Sequence, residues 1–275
     1  MTGDTFKRFS EYIESTVGIR MPQTKEVMLE ARLSKRVRAL GFSTHEEYCD
    51  YVFSPEGHDR EIQQLIDVVT TNETEFFREA KHYSLLSERV LPELVGDARS
   101  IDLNLWSVAA STGQEAYTLA IIVEEFSRVQ NVKINYRILG TDISEKVLRV
   151  AETGVYTERQ ASKIPLEYKR RYFLKSKNTA EETVRVRPEI RSKVVFRKLN
   201  LMDDLYPVTK KYHIVFCRNV FIYFDRETQH KVLARIYSHI IPGGFLFMGH
   251  SENIGRSDLP LVSIASAVYR KENRT

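Results

Sequence analysis

Apolar residues near the start of the chain recur at helical spacing. Phe6, Phe9, Ile13 and Val17 follow one another at steps of three and four, which places them on one face of a helix. A second helix is expected from Lys25, with an apolar stripe that ends just before residue 41. The pattern is typical of a helix that buries one face.

Two further helices are predicted before residue 70. The sequence Ser43-Thr44-His45-Glu46 resembles a capping-box start for a third helix, and Ser54-Pro55-Glu56-Gly57 is expected to end it. A fourth helix is expected from near Asp59. Residues 1–70 therefore predict a small all-helical domain.

The period of the pattern changes beyond residue 100. Residues 101–108 and 136–140 alternate like strands, and each run is followed by a segment with helical spacing, at 114–126 and 145–152. Later strands are predicted at 194–197, 213–217 and 245–248, a helix from about 226 to 240, and a last apolar alternation at 262–269. Strands that alternate with helices favour an α/β domain with a doubly wound, mostly parallel sheet. We assign residues 101–275 to it, residues 71–100 to a linker, and about 172–194 to a small antiparallel insertion.

Composition narrows the class of protein. The chain has 275 residues, of which 42% are hydrophobic and 28% charged, so it is predicted to be a soluble globular protein rather than a disordered or fibrous one. No apolar run approaches the roughly 20 residues of a membrane span, and the N-terminus has no secretory signal pattern. Cytoplasmic location without membrane insertion is expected. Cys49 and Cys217 are isolated and no histidine pair has metal-ligand spacing, so neither a disulfide nor a metal is expected.

Charge is unevenly distributed around a formal net charge of +4. Residues 1–70 hold 9 Lys and Arg against 12 Asp and Glu, whereas 15 basic residues face 7 acidic ones between Tyr156 and Lys211. The basic stretch fits either an acidic partner or a solvated surface. On the second helix, Arg32, Lys35 and Arg36 are expected to share one face.

Candidate chemistry lies at the predicted strand ends, because open parallel sheets bind ligands outside the carboxyl ends of their strands. The turn after the first strand has one glycine where a dinucleotide fingerprint has three. Asp142, after the second strand, is placed to accept hydrogen bonds from ribose hydroxyls. Its alternative role is to cap the next helix, for which Ser144 is better placed. Asn200-Leu201 and Arg218-Asn219 follow later strands.

Taken together, the motifs resemble those of the chemotaxis receptor glutamate methyltransferases, the CheR family. The match runs in order along nearly the whole chain. It comprises Asn72-x-Thr74-x-Phe76-Phe77-Arg78-Glu79, Trp106-Ser107, Ser111-Thr112-Gly113-Gln114-Glu115-Ala116-Tyr117, Gly140-Thr141-Asp142-Ile143, Asn200-Leu201, Cys217-Arg218-Asn219-Val220-x-Ile222-Tyr223-Phe224-Asp225 and Gly243-Gly244-Phe245-Leu246-Phe247-Met248-Gly249-His250-Ser251-Glu252. Where the family more often reads Gly-Glu-Glu-Pro-Tyr, this chain keeps only the second acid, Glu115.

The resemblance implies an S-adenosylmethionine-dependent methyltransferase domain after a helical N-terminal domain. Its expected reaction is transfer of a methyl group to glutamate side chains on the cytoplasmic helical region of chemotaxis receptors, which leaves S-adenosylhomocysteine. A carboxylate is ionised at pH 7, so this reaction needs no general base. The resemblance also implies roles for site residues: Asn72, Thr74 and Arg78 at the methionine end, Glu115 at its amino group, Asp142 at the ribose, Asn200 and Leu201 at the adenine, Arg218 and Asn219 also at the cofactor, and Arg78 with Tyr223 beside the reacting methyl and carboxylate.

Further expectations concern the partner. Arg32, Lys35 and Arg36 are predicted to contact a receptor that recruits the enzyme to membrane arrays, although a solvated face explains the charges equally well. The enzyme is expected to be a monomer. Some family members dock a receptor's C-terminal peptide on a glycine-rich loop of the insertion. The corresponding segment here, Lys175 to Thr183, contains no glycine, which predicts that no such tether is used.

Other readings of the sequence stay open. A nicotinamide-dependent oxidoreductase shares the sheet class but needs the absent glycines. A nucleic-acid methyltransferase would suit the basic surplus. Methyltransferases that act on amines, however, normally carry a turn with two prolines and an aromatic residue, and the corresponding turn here is Arg218-Asn219-Val220-Phe221. Methylation of another protein, and a receptor-binding adaptor without turnover, are the remaining alternatives. For Arg78, the structural alternative is an ion pair with Glu75 or Glu79.

Overall fold

The structure is a computed structural model that describes residues 1–177, 182–252 and 258–273. The helices in these ranges are α1 (Gly3–Val17), α2 (Glu26–Ala39), α3 (His45–Val52), α4 (Pro55–Val69), α5 (Ala80–Leu85), α6 (Leu91–Val95), α7 (Gln114–Gln130), α8 (Glu145–Thr153), α9 (Leu166–Tyr172), α10 (Pro188–Arg191) and α11 (Arg226–Ser238). A π-helical turn at Leu86–Val90 joins α5 to α6.

Ten strands form two sheets. The strands are β1 (Ser100–Val108), β2 (Lys133–Asp142), β3 (Val155–Thr157), β4 (Phe173–Lys175), β5 (Thr183–Val186), β6 (Val194–Lys198), β7 (Tyr212–Cys217), β8 (Ile240–Met248), β9 (Leu261–Ala265) and β10 (Val268–Lys271). Seven make one sheet in the order β6-β2-β1-β7-β8-β10-β9, and three make a second in the order β3-β5-β4. The predicted class, a helical domain followed by a mostly parallel α/β domain with a small antiparallel sheet, is confirmed.

Register in the large sheet brings four strand ends to one edge. β1 pairs in parallel with β2 and with β7, and β7 pairs in parallel with β8. In this register Val108 lies opposite Thr141 and Cys217, and Cys217 lies opposite Met248. The polar segments that follow these strands therefore meet in space, as the strand-end argument predicts.

Helix α4 begins four residues earlier than predicted. The hydroxyl of Ser54 accepts a hydrogen bond from the Gly57 amide at 3.1 Å, and Pro55 occupies the first helical turn, where its missing N–H costs nothing. The segment expected to end the third helix therefore also starts the fourth. The capping box at Thr44 and Glu47 is present at the start of α3.

Two predictions about the sheets are refined. The small antiparallel sheet begins at Val155, earlier than the predicted insertion, because β3 pairs with β5. The final apolar alternation is two antiparallel strands rather than one, since Ala267 adopts a φ of +56° and reverses the chain between β9 and β10. Residues 178–181 of the segment predicted not to bind a tether lie outside the described residues.

Two of the three cations predicted to face a receptor are used inside the helical domain. The Arg36 guanidinium forms two hydrogen bonds with Glu61, at 2.6 and 2.8 Å, and Glu61 is 3% exposed. Arg32 donates to the Val69 carbonyl and to Thr71 Oγ1 at the end of α4. Arg32 and Arg36 are therefore partly buried and bonded within the helical domain, and of the three cations only Lys35 is fully exposed. The contact of these residues with a receptor stays a prediction.

Each part of the chain has its own apolar core. In the helical domain, Phe9, Leu29, Leu33, Tyr48 and Leu65 are fully buried together. In the α/β part, large residues of β1, β7 and β8 are buried against the helices on both faces of the sheet. No described helix has both the length and the apolarity to cross a membrane.

Candidate functional site

A cleft of about 970 Å³, open to solvent, lies at the carboxyl edge of the large sheet. Its walls come from the α1–α2 connection, from residues 70–78 and from the segments after β1, β2, β6 and β7. All ten residues predicted to bind cofactor or to catalyse line it: Asn72, Thr74, Arg78, Glu115, Asp142, Asn200, Leu201, Arg218, Asn219 and Tyr223. The structure therefore gathers in one cleft residues that are up to 151 positions apart in the chain.

Asp142 ends β2 and is 7% exposed. Its two carboxylate oxygens accept hydrogen bonds from the backbone amides of Ser111, at 2.8 Å, and Ser144, at 3.0 Å. Burial raises the pKa of the Asp142 carboxyl, and these amide hydrogen bonds oppose the rise. The helix cap is made instead by Ser144, whose hydroxyl accepts from the Val147 amide at 3.4 Å, as predicted. Asp142 thus retains acceptor capacity toward the cleft.

Glu115 lies in the first turn of α7, beside the turn that follows β1. Its carboxylate accepts a hydrogen bond from the Ser107 hydroxyl at 2.7 Å and lies 3.5 Å from the Arg218 guanidinium. Burial raises the pKa of Glu115, whereas Arg218 and Ser107 lower it. A carboxylate held in this way is suited to receive an amino group.

Arg218 follows β7 directly and its side chain is only 1% exposed. The guanidinium donates to the Arg78 carbonyl at 2.6 Å and to the Tyr83 hydroxyl at 3.2 Å, and it also lies 3.2 Å from Glu79. These contacts join the end of β7 to residues 78–83. They make Arg218 a buried residue that both lines the cleft and organises its wall.

Arg78 borders the cleft from a turn before α5. Its guanidinium donates to the Glu73 carbonyl at 2.8 Å. The alternative ion pairs with neighbouring acids are not formed among the described residues: Glu75 pairs with Lys163 at 2.6 Å, and Glu79 pairs with Arg218. The Arg78 charge therefore stays available to the cleft.

The helical domain closes one side of the cleft. Val17 and Ile19 line it, and the Arg20 amide donates to the Tyr223 carbonyl at 2.9 Å. The Asn200 side-chain amide donates to the Thr16 carbonyl at 2.7 Å. Asn200 is thus partly engaged in joining the two parts of the chain, a contact that the sequence did not predict.

Backbone strain is concentrated around the cleft. Ala109, Ser111 and Asn219 adopt φ values of +54°, +50° and +59°. A non-glycine residue in this region costs on the order of 1 to 3 kcal/mol, so each turn needs compensating contacts. Ser111 has two, because its amide donates to Asp142 and its hydroxyl donates to the Asn72 carbonyl at 2.8 Å.

Two further acids, Glu79 and Glu252, stand within the sequence motifs; Glu79 was considered only as an ion-pair partner of Arg78, and Glu252 had no predicted role. Glu79 lies within 3.5 Å of His82 and His250, an arrangement that has metal-ligand spacing. The Arg218 guanidinium is 3.2 Å from the same Glu79 oxygen, and this fixed positive charge disfavours a cation there. The signal in the sequence was the position of each acid at the end of a motif, Glu79 before α5 and Glu252 after β8.

The cleft fits a nucleoside that carries an amino acid. Asp142 can accept hydrogen bonds from two vicinal hydroxyls, and the Glu115 carboxylate can accept them from an amino group. The Arg78 guanidinium offers a positive charge to a carboxylate. Apolar side chains of Ile143 and Leu201 lie beyond Asp142, where a flat ring would be accommodated. These donors and acceptors match S-adenosylmethionine without requiring a metal ligand.

Comparisons with known proteins agree over nearly the whole chain. Residues 4–70 match the family model described as the CheR methyltransferase all-alpha domain, and residues 72–269 match the CheR methyltransferase SAM-binding domain. The chain is 34% identical over 274 residues to the chemotaxis protein methyltransferase of Borreliella burgdorferi, covering 98% of this chain and 95% of that protein. It is 34% identical to the chemotaxis protein methyltransferase of Escherichia coli, covering 96% of this chain and 89% of that one. It is 37% identical to chemotaxis protein methyltransferase 1 of Pseudomonas aeruginosa, covering 90% and 89%.

Proposed function

Because this chain belongs to the CheR methyltransferase family, and is therefore an S-adenosylmethionine-dependent chemotaxis methyltransferase, we propose that it methylates glutamate side chains of chemotaxis receptors. The acceptors lie in the cytoplasmic helical region of the receptor, and the methyl esters serve adaptation. The observation that carries the proposal is the single cleft that joins an acid for a ribose, an acid for an amino group and a guanidinium with no acidic partner among the described residues. We place the helical domain at residues 1–70, the linker at 71–100 and the methyltransferase domain at 101–275.

Three residues are proposed to hold the methionine end of the cofactor. Glu115 faces the amino group, since its carboxylate is fixed by Ser107 and Arg218. Asn72 and Thr74 contact the same end from the linker. Arg218 lines the cleft beside this end and also supports it through Glu115 and the Arg78 carbonyl. Asn219 contacts the cofactor from the turn after β7.

The nucleoside end is proposed to lie between the sheet and the helical domain. Asp142 accepts hydrogen bonds from the ribose hydroxyls with the lone pairs that its two backbone donors leave free. Asn200 and Leu201 contact the adenine. The Asn200 amide nitrogen donates to the Thr16 carbonyl, and Asn200 Oδ1 accepts from the Met202 amide at 3.0 Å, so the second N–H of the side-chain amide is proposed to serve the ligand.

Arg78 and Tyr223 are proposed to flank the reacting groups. The bound cofactor supplies a sulfonium methyl group, and a substrate carboxylate is ionised without help from a base. The Arg78 guanidinium, which has no acidic partner among the described residues, attracts and orients that carboxylate. The Tyr223 hydroxyl donates one further hydrogen bond. Positioning and exclusion of water then supply the rate enhancement.

The experiment is a methyl-transfer assay with radiolabelled cofactor and a cytoplasmic receptor fragment. Label that is incorporated by the wild-type chain and released as methanol by mild alkali identifies a methyl ester on a carboxylate. Replacement of the labelled glutamates in the fragment should abolish incorporation. Alkali-stable label, or label transferred to nucleic acid instead, would contradict the proposal, and cofactor binding without transfer to any receptor fragment would favour an adaptor.

A further inference from the structure

We propose that Glu252 is a positioning residue for methyl transfer, which holds the turn after β7 in its working conformation from outside the cleft. The inference rests on the proposed function only in taking Tyr223 as the residue beside the reacting groups. Glu252 does not line the cleft, and its effect must therefore pass through the turn that it binds.

Three backbone amides donate to the Glu252 carboxylate. Oε2 accepts from Asn219 at 2.8 Å and from Gly249 at 2.7 Å, and Oε1 accepts from Phe221 at 2.8 Å. The residue is 5% exposed. One buried side chain thus satisfies donors in the turn after β7 and in the turn after β8, where neighbouring strands leave them unpaired.

The turn that Glu252 holds is strained and carries the reacting centre. Asn219 adopts a φ of +59°, a left-handed conformation that asparagine tolerates better than most residues but that still has an energetic cost. The chain then continues through a short 3-10 turn, Phe221–Tyr223. Loss of the carboxylate would leave three buried amides without acceptors and remove the contact that offsets the strain.

The absence of a side chain at Gly249 is a second observation that supports the contact between Glu252 and the turn after β7. A Cβ atom at Gly249 would lie 2.7 Å from Glu252 Oε2 and 3.0 Å from the Asn219 amide nitrogen. The two turns therefore approach so closely that only glycine fits between them. Gly249→Ala would push the carboxylate and the turn apart while leaving the carboxylate itself intact.

Two variants test the proposal by different routes. Glu252→Gln keeps the size of the side chain but turns one acceptor into an NH2 donor that faces another donor, and Gly249→Ala disturbs the same contact sterically. Glu227→Gln, an exposed glutamate on α11, is the matched control. Methyl transfer to the receptor fragment and calorimetric binding of S-adenosylhomocysteine are measured on each, with the binding stoichiometry giving the folded fraction.

Both variants should lose turnover by about 10- to 100-fold per folded molecule, as expected for a misplaced reacting group. The loss in cofactor affinity should be smaller, because Asn219 is only one of the residues proposed to contact the cofactor. The loss in turnover should also be non-additive with Tyr223→Phe, since both changes act on one turn. Equal losses in turnover and affinity, or full additivity with Tyr223→Phe, would overturn the proposal. Inactivity of the wild-type chain on receptor fragments would instead contradict the proposed function.

Discussion

At the scale of single residues, Asp142 is the sharpest test of the cofactor site. Asp142→Ala removes an acceptor for the ribose hydroxyls, and a hydrogen bond to a charged group is worth about 1.5 to 3 kcal/mol, so S-adenosylhomocysteine should bind roughly 10- to 150-fold more weakly. Asp142→Ala also removes the acceptors of the Ser111 and Ser144 amides. Asp142→Asn keeps one side-chain oxygen, so a comparison of the two variants separates the loss of the ribose contact from the loss of these amide contacts. Calorimetry measures the affinities. Unchanged binding by a folded Asp142→Ala variant would remove Asp142 from the site.

Arg78 and Tyr223 should behave differently from Asp142. Their proposed contacts are to the reacting groups, so Arg78→Ala and Tyr223→Phe should lower methyl transfer more than cofactor affinity. Lys81→Ala is a control, since Lys81 is an exposed cation three residues from Arg78. Steady-state kinetics and calorimetry on the same preparations give the two quantities. Parallel losses in both would make the two residues ordinary binding residues.

His82 should make stability depend on pH. Burial, assisted by Arg218 and His250 and opposed by Glu79, lowers the pKa of His82 to about 4. In the unfolded chain His82 therefore binds a proton near pH 6.5, whereas in the folded chain it binds one only near pH 4. The free energy of unfolding should therefore fall as the pH drops through this window, by at most about 1.4 kcal/mol per pH unit from this group.

Urea unfolding between pH 7.5 and 4.5 measures this dependence. His82→Gln should unfold with a shallower pH dependence than the wild type in that window. His230→Gln, which changes an exposed histidine, should keep the wild-type slope. A His82→Gln slope equal to that of the wild type would show that His82 is not held neutral.

At the scale of elements, the sequence predicts what depends on short-range pattern. Apolar spacing and capping residues located the helices and strands, and the polar residues after each strand were expected to meet because parallel strands end at one edge. The start of α4 was missed because Ser54-Pro55 serves as both a stop and a cap. The pairing of Arg36 with Glu61 was not predicted for another reason. The two residues are 25 positions apart, and spacing within one helix gives no information about such a pair.

The Arg36–Glu61 pair gives a prediction for the helical domain. Glu61 is buried and also accepts from the Tyr48 hydroxyl at 3.0 Å, so Arg36→Ala would leave a buried carboxylate without its cation. We expect a loss of about 3 kcal/mol in unfolding free energy, at the low end for a broken buried pair because Arg36 stays partly exposed. Lys35→Ala should change stability little. Equal stability of the two variants in urea unfolding would contradict this account.

At the scale of the whole molecule, the cleft is completed by both parts of the chain. Neither the motifs of the α/β part nor the helix pattern of the first 70 residues predicted that the α1–α2 connection lines the cleft. Contacts such as Asn200 to Thr16 join positions 184 residues apart. A pattern along the sequence does not show which distant residues meet in space. The contribution of the α1–α2 connection to the site therefore becomes visible only in the fold.

The α1–α2 connection can be tested at its tightest point, Gly18. Its φ is +73°, and a Cβ atom there would lie 2.6 Å from the Met202 sulfur and 3.1 Å from the Phe224 ring. Met202 can move aside, but Phe224 is buried and lines the cleft. Gly18→Ala should therefore displace the connection and weaken S-adenosylhomocysteine binding by about tenfold, equivalent to about 1.4 kcal/mol.

Gly41 supplies a matched control for the backbone effect. Its φ is +78°, and a Cβ atom there would have nothing within 4 Å. Gly41→Ala thus introduces the same left-handed strain without the steric contact, and both variants should lose a similar amount of stability from strain alone. Only Gly18→Ala should also lose cofactor affinity, because only Gly18 joins the helical domain to the cleft wall. If calorimetry gave both variants the wild-type affinity, the helical domain would have no part in binding the cofactor.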